Sequence, residues 1–258
     1  MKNENQHFSA DRRKFGRHFW IGAAVAGALS VIFTAASAVY RKNRFDLKIG
    51  EEKVGSKEYQ LCMDLVKYDV KMEIQKRYDA LYGEDFWEQS YEGQYGYEIL
   101  ADHTVEKIKY IHAVYDLAEE YGDVSDGSFA AIEKRWKQEN AKRQKKVEDG
   151  EVIYGLKEYT FDLYMQYEIS MYKEIYCNDT DRKGMDLTEE EVAEYYSQGE
   201  WVFQDDGEKA DLETARIAVE RELREKKYDA MIAQMTEDLE VSGDLEAVDR
   251  FTLDHLKR

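Results

Sequence analysis

The sequence predicts an all-α fold, and three observations carry that prediction. Proline is absent from all 258 residues, so no helix interior loses an amide donor or is forced to kink. Lys, Glu, Ala, Leu, Met and Gln, all good helix formers, fill the long stretches. Apolar residues recur at three- and four-residue steps, which gathers them on one helical face. Twenty Tyr, ten Phe and four Trp give those faces bulky apolar bodies with polar tips.

The first element is WIGAAVAGALSVIFTAASAVY, running without a charge from Trp20 to Tyr40. At about 1.5 Å per residue such a helix spans roughly 30 Å, the hydrocarbon thickness of a bilayer. It predicts a transmembrane anchor over residues 19–40 that divides a tail over 1–18 from a domain over 41–258. Ala36-Ser37-Ala38 also fits the small-x-small pattern of a cleaved signal; the long tail and the length of the run favour retention. Lys2, Arg12, Arg13, Lys14 and Arg17 precede the run while Arg41, Lys42, Arg44 and Lys48 follow it. That balance is too even for flanking charge to orient the helix.

Charge excludes one class of partner. From residue 39 onward 32 Lys/Arg face 53 Asp/Glu, a net of −21. So acidic a domain does not track a nucleic-acid backbone. It is also repelled by anionic headgroups, leaving residues 19–40 as the membrane contact. Two cysteines, Cys62 and Cys177, make no disulfide framework. Cys62 falls on an apolar face where buried thiols are common, and whether the two pair stays open.

After the run, FDLKIGEEKVGSKEY reads as a strand-like opening punctuated by Gly50 and Gly55, with Ser56 as the N-cap of a helix over 57–82. Tyr59, Met63, Val66, Val70, Ile74, Tyr78 and Leu81 form its apolar face, and Gly83 stops it. An aromatic loop tucks Phe86 and Trp87 under the helices. A second helix over 98–121 carries Leu100, Val105, Ile108, Ile111, Tyr115 and Leu117. A third begins at Ser125 or Ser128, passes Phe129, Ile132 and Trp136, and becomes a polar, solvated face at KQENAKRQKKVEDGE. The spacing of Tyr154, Tyr159, Phe161, Tyr164, Tyr167, Tyr172 and Tyr176 predicts helix over 151–177. Thr188 and Glu191 make a capping box for a short helix ending near Tyr196. The final helix, 212–239, carries Ile217, Leu223, Tyr228, Met231, Ile232, Met235 and Leu239.

Residues for catalysis or metal binding do not assemble into a pattern, and the reading assigns no catalytic, cofactor-binding or metal-ligating residue. His7 and His18 precede the apolar run, His255 lies near the end of the sequence, and His103 and His112 are nine apart on one helix. A metal pair needs a shared i, i+4 face. Glu189-Glu190-Glu191 stands at a helix start, where carboxylates favour the dipole. No glycine-rich phosphate loop, nucleophile elbow or CxxC occurs. Asn178-Asp179-Thr180 matches a glycosylation sequon, a pattern short enough to arise by chance.

In chain order, LKIGEEKVGSKEY (47–59), GEDFW (83–87), LAEEYG (117–122), LTEEEVAEYY (187–196) and ETARIAVERELREKKYDAMIAQM (213–235) resemble the PrsA/SurA-type extracytoplasmic foldases of bacteria. The resemblance covers most of residues 45–240. It implies a SurA-N-like chaperone domain whose C-terminal helix returns to pack on the N-terminal helices, specifically on the helix of residues 57–82. Met231, Ile232 and Met235 would then be buried near Val66, Val70 or Ile74. One departure is large. Enzyme members carry a parvulin-type prolyl isomerase domain where this chain has only the fourteen residues 197–210. A segment below about 40 residues rarely folds unaided, so isomerase catalysis is not expected.

The resemblance implies that residues 1–18 are cytoplasmic and residues 41–258 extracytoplasmic, in a membrane-anchored, chaperone-like protein that holds unfolded or exported polypeptides; the abundance of Tyr and Met supplies adaptable contacts. An accessory envelope protein docking one specific partner is the second reading, and a divergent prolyl isomerase the third.

Overall fold

A computed structural model describes residues 45–202 and 208–257. The anchor expected at residues 19–40 lies outside the described residues. Among them no helix is long and apolar enough to cross a membrane.

The chain opens as a hairpin, β1 (Leu47–Ile49) and β2 (Glu52–Val54). The strand-like opening is therefore a real strand pair. It is completed by β5 (Val241–Gly243), which pairs antiparallel with the other edge of β1, setting Leu47 opposite Gly243 and Ile49 opposite Val241. A sequence reading ending at the last long helix does not anticipate this strand. Gly243 is required there: its φ is +125°, and an added Cβ would stand 2.3 Å from the Asp46 carbonyl oxygen.

Helix α1 (Ser56–Tyr78) follows at once. Its N-cap is Gly55 rather than Ser56, and the Glu58 carboxylate accepts the Gly55 amide at 3.4 Å. It ends four residues before the expected Tyr82, because Asp79 takes the left-handed C-cap position (φ +50°). The predicted face is the buried one: Tyr59, Met63, Val70 and Ile74 are buried and Val66 and Tyr78 partly so. Leu81, beyond the helix end, is exposed. A 3-10 turn (Phe86–Glu88) and a short hairpin, β3 (Ser90–Tyr91) and β4 (Gln94–Tyr95), lead to α2 (Gly96–Glu120). Phe86 and Trp87 are buried, as the sequence predicts.

Helix α2 is the axis of the fold. Leu100, Thr104, Ile108, Ile111, Val114, Tyr115, Leu117 and Ala118 are buried around most of its circumference, because α1, α4, α6 and α7 all pack on it. Next come α3 (Phe129–Glu148), α4 (Phe161–Asn178), α5 (Glu189–Gln198), α6 (Leu212–Asp238) and α7 (Leu245–Leu256). The predicted helix over 151–177 begins only at Phe161. Gly150 and Gly155 both hold positive φ, +73° and +81°, so residues 149–160 run as an irregular return segment.

The return helix α6 corrects a second expectation. Its main contacts are with α2, α4 and α5 rather than with α1. Ile232 is buried as expected, whereas Met231 and Met235 are only partly so. What reaches α1 from the C-terminal part is α7, where Tyr59 donates its hydroxyl proton to Thr252 at 2.5 Å while Thr252 donates to the Val248 carbonyl. The first and last described elements are thus joined through β5 and α7.

Near the start of α6 a second small cluster forms, with Val192 of α5 against Ala215 and Val219. Thr188 and Glu191 form the predicted capping box, and Glu191 also meets Lys227 at 2.5 Å. The described ends of the segment between α5 and α6 are joined by direct bonds. Trp201 Nε1 donates to the Tyr196 carbonyl at 2.8 Å, and the Tyr196 hydroxyl donates to the Ala210 carbonyl at 2.8 Å.

Candidate functional site: a projecting basic arm

The first part of α3 is anchored. Ile132 is buried, and Phe129 and Trp136 pack their rings on Phe161 at 5.2 and 5.3 Å. Arg135 is held more tightly still. Its Nε and NH2 donate to the two Glu168 carboxylate oxygens at 2.8 and 2.9 Å, and its NH1 donates to the Asp126 carbonyl at 2.6 Å. Glu168 also accepts from Tyr115 at 2.9 Å and Tyr164 at 2.8 Å, so its carboxylate, 3% exposed, is fully bonded. This network ties α2, α3 and α4 together at one point. Burial first, then the Glu168 charge and bond, raise the Tyr115 hydroxyl far above the usual phenol range.

Beyond Trp136 the helix leaves the core. From Lys137 to Glu158 no side chain is buried. The return segment lies back along the helix and is fixed by three side chains. Trp136 Nε1 and Asn140 Nδ2 both donate to the Tyr159 carbonyl, at 2.7 and 2.8 Å, and Asn140 Oδ1 accepts the Tyr159 amide at 2.9 Å. Arg143 donates to the Leu156 carbonyl at 2.6 Å, and its guanidinium lies 4.5 Å from the centre of the Tyr159 ring. Helix and return segment form one projecting arm.

Two clefts flank the return segment. One, of about 260 Å³, is lined by Lys142, Arg143, Lys146, Val152, Ile153 and Tyr154, with Glu139. The other, of about 450 Å³, is bounded by Trp136, Asn140, Ala141 and Val147 on the helix and by Lys157 and Glu158 on the return segment. Val152 is 75% exposed and Tyr154 86%, and Val147, Leu156, Leu163 and Tyr167 are exposed nearby. Apolar side chains this close together in water mark an interaction surface.

The electrostatics of the arm oppose those of the body. Helix α3 holds seven Lys/Arg and three Asp/Glu, net +4, against a net of −25 for the rest of residues 39–258. Arg143 is paired with Glu139 and Lys137 with Glu133. Lys142, Lys145 and Lys146 are exposed and make no ion pair among the described residues.

The sequence placed its candidate contacts more diffusely, in Tyr and Met at large. Several of those are core: Tyr59, Tyr115, Tyr172, Tyr176, Tyr228, Met63, Met165 and Met185 are all buried. The arm was legible only as a polar, solvated face. Its signals were the two glycines bracketing Val152–Tyr154 and the density of Lys in an acidic chain.

The remaining candidates are structural. His112 is bonded to Glu58 at 2.8 Å, and His103 lies 3.6 Å from Glu73. Among the described residues no group of three His, Cys, Asp or Glu could hold a metal ion. Cys62 and Cys177 are buried free thiols, and burial raises both, Cys62 to about 12 and Cys177 to about 11.

No family model matches the chain, and no solved structure matches it. A protein of Bifidobacterium longum subsp. longum named "Chaperone for lacto-N-biosidase" is similar to it, 28% identical over 209 residues, which are 80% of this chain and 74% of that protein.

Proposed function

We propose that this chain is a chaperone-like binding protein that acts on one dominant client, an exported glycosidase of the lacto-N-biosidase kind, and catalyses no reaction itself. The observation that carries the reading is the projecting arm, an apolar and basic surface held out from an acidic body on a buried Arg135–Glu168 anchor. A stable core would bury Val152 and Tyr154; leaving them in water forgoes about 1.5–3 kcal/mol for each such side chain. The name of the similar Bifidobacterium protein points to a single client rather than to many.

The finer parts of the reading rest on sequence. Residues 19–40 anchor the chain in the cell membrane, residues 1–18 face the cytoplasm, and the domain from residue 41 meets its client outside. The PrsA/SurA-type resemblance supports an extracytoplasmic place through the order of its motifs, although the pairing of α1 with α6 that it implied is not the one found. The short stitched segment between α5 and α6 supports binding without isomerase catalysis.

Pull-down from the native host tests the client reading: one stoichiometric partner of glycosidase sequence is expected, and a broad set of unfolded proteins would replace it with general holding. A reporter active only outside the cytoplasm, fused after the last residue, should be active. An inactive but stable fusion would overturn the orientation.

A further inference from the structure

We infer that the cleft between Lys142, Lys146 and Val152–Tyr154 recognises an acidic, apolar polypeptide segment of the client, with carboxylates placed beside aromatic or aliphatic side chains. The inference rests on the reading of the arm as the client surface and adds the chemistry of what it binds.

Two observations independent of each other lead there. The first is charge. A domain with 53 Asp/Glu has carboxylates enough to pair every lysine, yet Lys142, Lys145 and Lys146, close together on the arm, make no ion pair among the described residues. The ion pairs on this helix go to other residues: Arg135 with Glu168, Glu133 with Lys57 and Lys137, and Arg143 with Glu139. The second is shape. The cleft of about 260 Å³ is lined from the helix by Lys142, Lys146 and the Glu139–Arg143 ion pair, whose charges cancel, and from the return segment by Val152, Ile153 and Tyr154. A side chain entering it meets cations on one side and apolar surface on the other. That combination suits a carboxylate flanked by a Leu, Phe or Tyr and disfavours a lysine there.

Other anionic occupants fit less well. A bilayer of anionic lipid, or a nucleic acid, would bring a continuous sheet of negative charge against a body of net −25. The acidic body of a second copy would be a head-to-tail contact, which repeats into filaments unless its rotation closes. A client segment extending from its own fold reaches the arm without bringing either problem.

The test uses the whole chain and synthetic peptides that share their leucines and phenylalanines and differ only in carrying Asp/Glu, Asn/Gln or Lys between them. Fluorescence anisotropy should rank the acidic peptide about tenfold tighter than its amide counterpart, with the advantage shrinking as salt rises. Lys142→Glu with Lys146→Glu should remove that advantage. Val152→Ser with Tyr154→Ser should weaken the acidic and amide peptides alike. Lys76→Glu with Lys183→Glu, the same change of charge at exposed lysines off the arm, should leave all affinities within about twofold. Equal binding of the three peptides overturns the inference, and so does unchanged binding in the Lys142/Lys146 variant. Arm-dependent binding to phosphatidylglycerol vesicles at the same strength, or arm-dependent self-association on sedimentation, overturns it as well. The proposed function fails separately: a chain that binds the acidic peptide through the arm but rescues no glycosidase keeps the cleft and loses the client. One whose Lys142/Lys146 variant rescues as well as the wild type keeps the client and loses the cleft.

Discussion

Replacing Arg135 with methionine should be among the most damaging single changes in the domain. Glu168 is 3% exposed and accepts four bonds, two from Arg135 and one each from Tyr115 and Tyr164. Removing the guanidinium leaves a buried carboxylate with only two phenol donors, and breaking a buried pair from one side costs about 3–5 kcal/mol. Against a total stability of about 5–15 kcal/mol, that is a large fraction. Glu168→Gln keeps the shape and an acceptor but no charge, so it should cost less, about 1–3 kcal/mol. Because the charges are each other's partners, the double variant should be destabilised by well under the sum, with a coupling of about 1–3 kcal/mol. Urea unfolding followed by circular dichroism reads all four proteins, with an unchanged slope showing that the transition remains comparable. A loss below about 1 kcal/mol in Arg135→Met, or effects that add within about 0.5 kcal/mol, would refute the account of how the arm is anchored.

Gly243→Ala should cost about 2–4 kcal/mol, since the new Cβ meets the Asp46 carbonyl and the backbone there holds φ +125°; a thermal midpoint within a degree or two of wild type would argue against β5 closing the sheet. Asn140→Ala should free the return segment without unfolding the body, so proteolysis within residues 149–160 should speed up by about tenfold while the urea midpoint barely moves. Stability should also depend on pH through His112. Burial disfavours its charged form, but the Glu58 bond and charge, with Glu52 and Asp116, outweigh burial and raise its pKa. A raised histidine contributes fully below its unfolded value of about 6.5, and the contribution is lost as pH rises through the folded value. Glu52 and Asp116, both raised chiefly by burial, act with the same sign at lower pH, as does Asp249, pushed up to about 6 by burial and by Glu98 and Asp102. The urea midpoint should therefore fall between mildly acidic and mildly alkaline pH, and fall less in His112→Gln; equal slopes in the two would remove His112 from the explanation.

Local sequence signals located most of the helices. The three- and four-residue steps from Tyr59 to Ile74 marked the buried face of α1, and Thr188 with Glu191 marked the start of α5. Two kinds of feature escaped. The first was long-range pairing: three-residue strands such as Val241–Gly243 have no period of their own, and only the φ of Gly243 and its approach to Asp46 reveal why that residue is there. The choice of α2 rather than α1 as the partner of α6 likewise depends on how many apolar faces each helix offers, and α2 buries most of its circumference, leaving exposed a stripe through Asp102, Glu106, Asp116 and Glu120. The second was the arm. The tyrosines from 154 to 176 have helical spacing throughout, yet Gly150 and Gly155 keep the first of them out of α4. Periodicity alone could not separate Tyr154, held in water, from Tyr164, buried on Glu168.

Aid to one glycosidase client through the arm is the function proposed for this chain. It is tested most directly by diluting chemically unfolded lacto-N-biosidase from denaturant with and without the purified domain and measuring recovered activity. The account predicts that recovery rises with added domain and saturates near equimolar ratio. It further predicts that Val152→Ser with Tyr154→Ser abolishes most of the gain while leaving the domain's own urea midpoint unchanged. Recovery that does not respond to the domain, or that an unrelated acidic helical protein raises equally well, would contradict it.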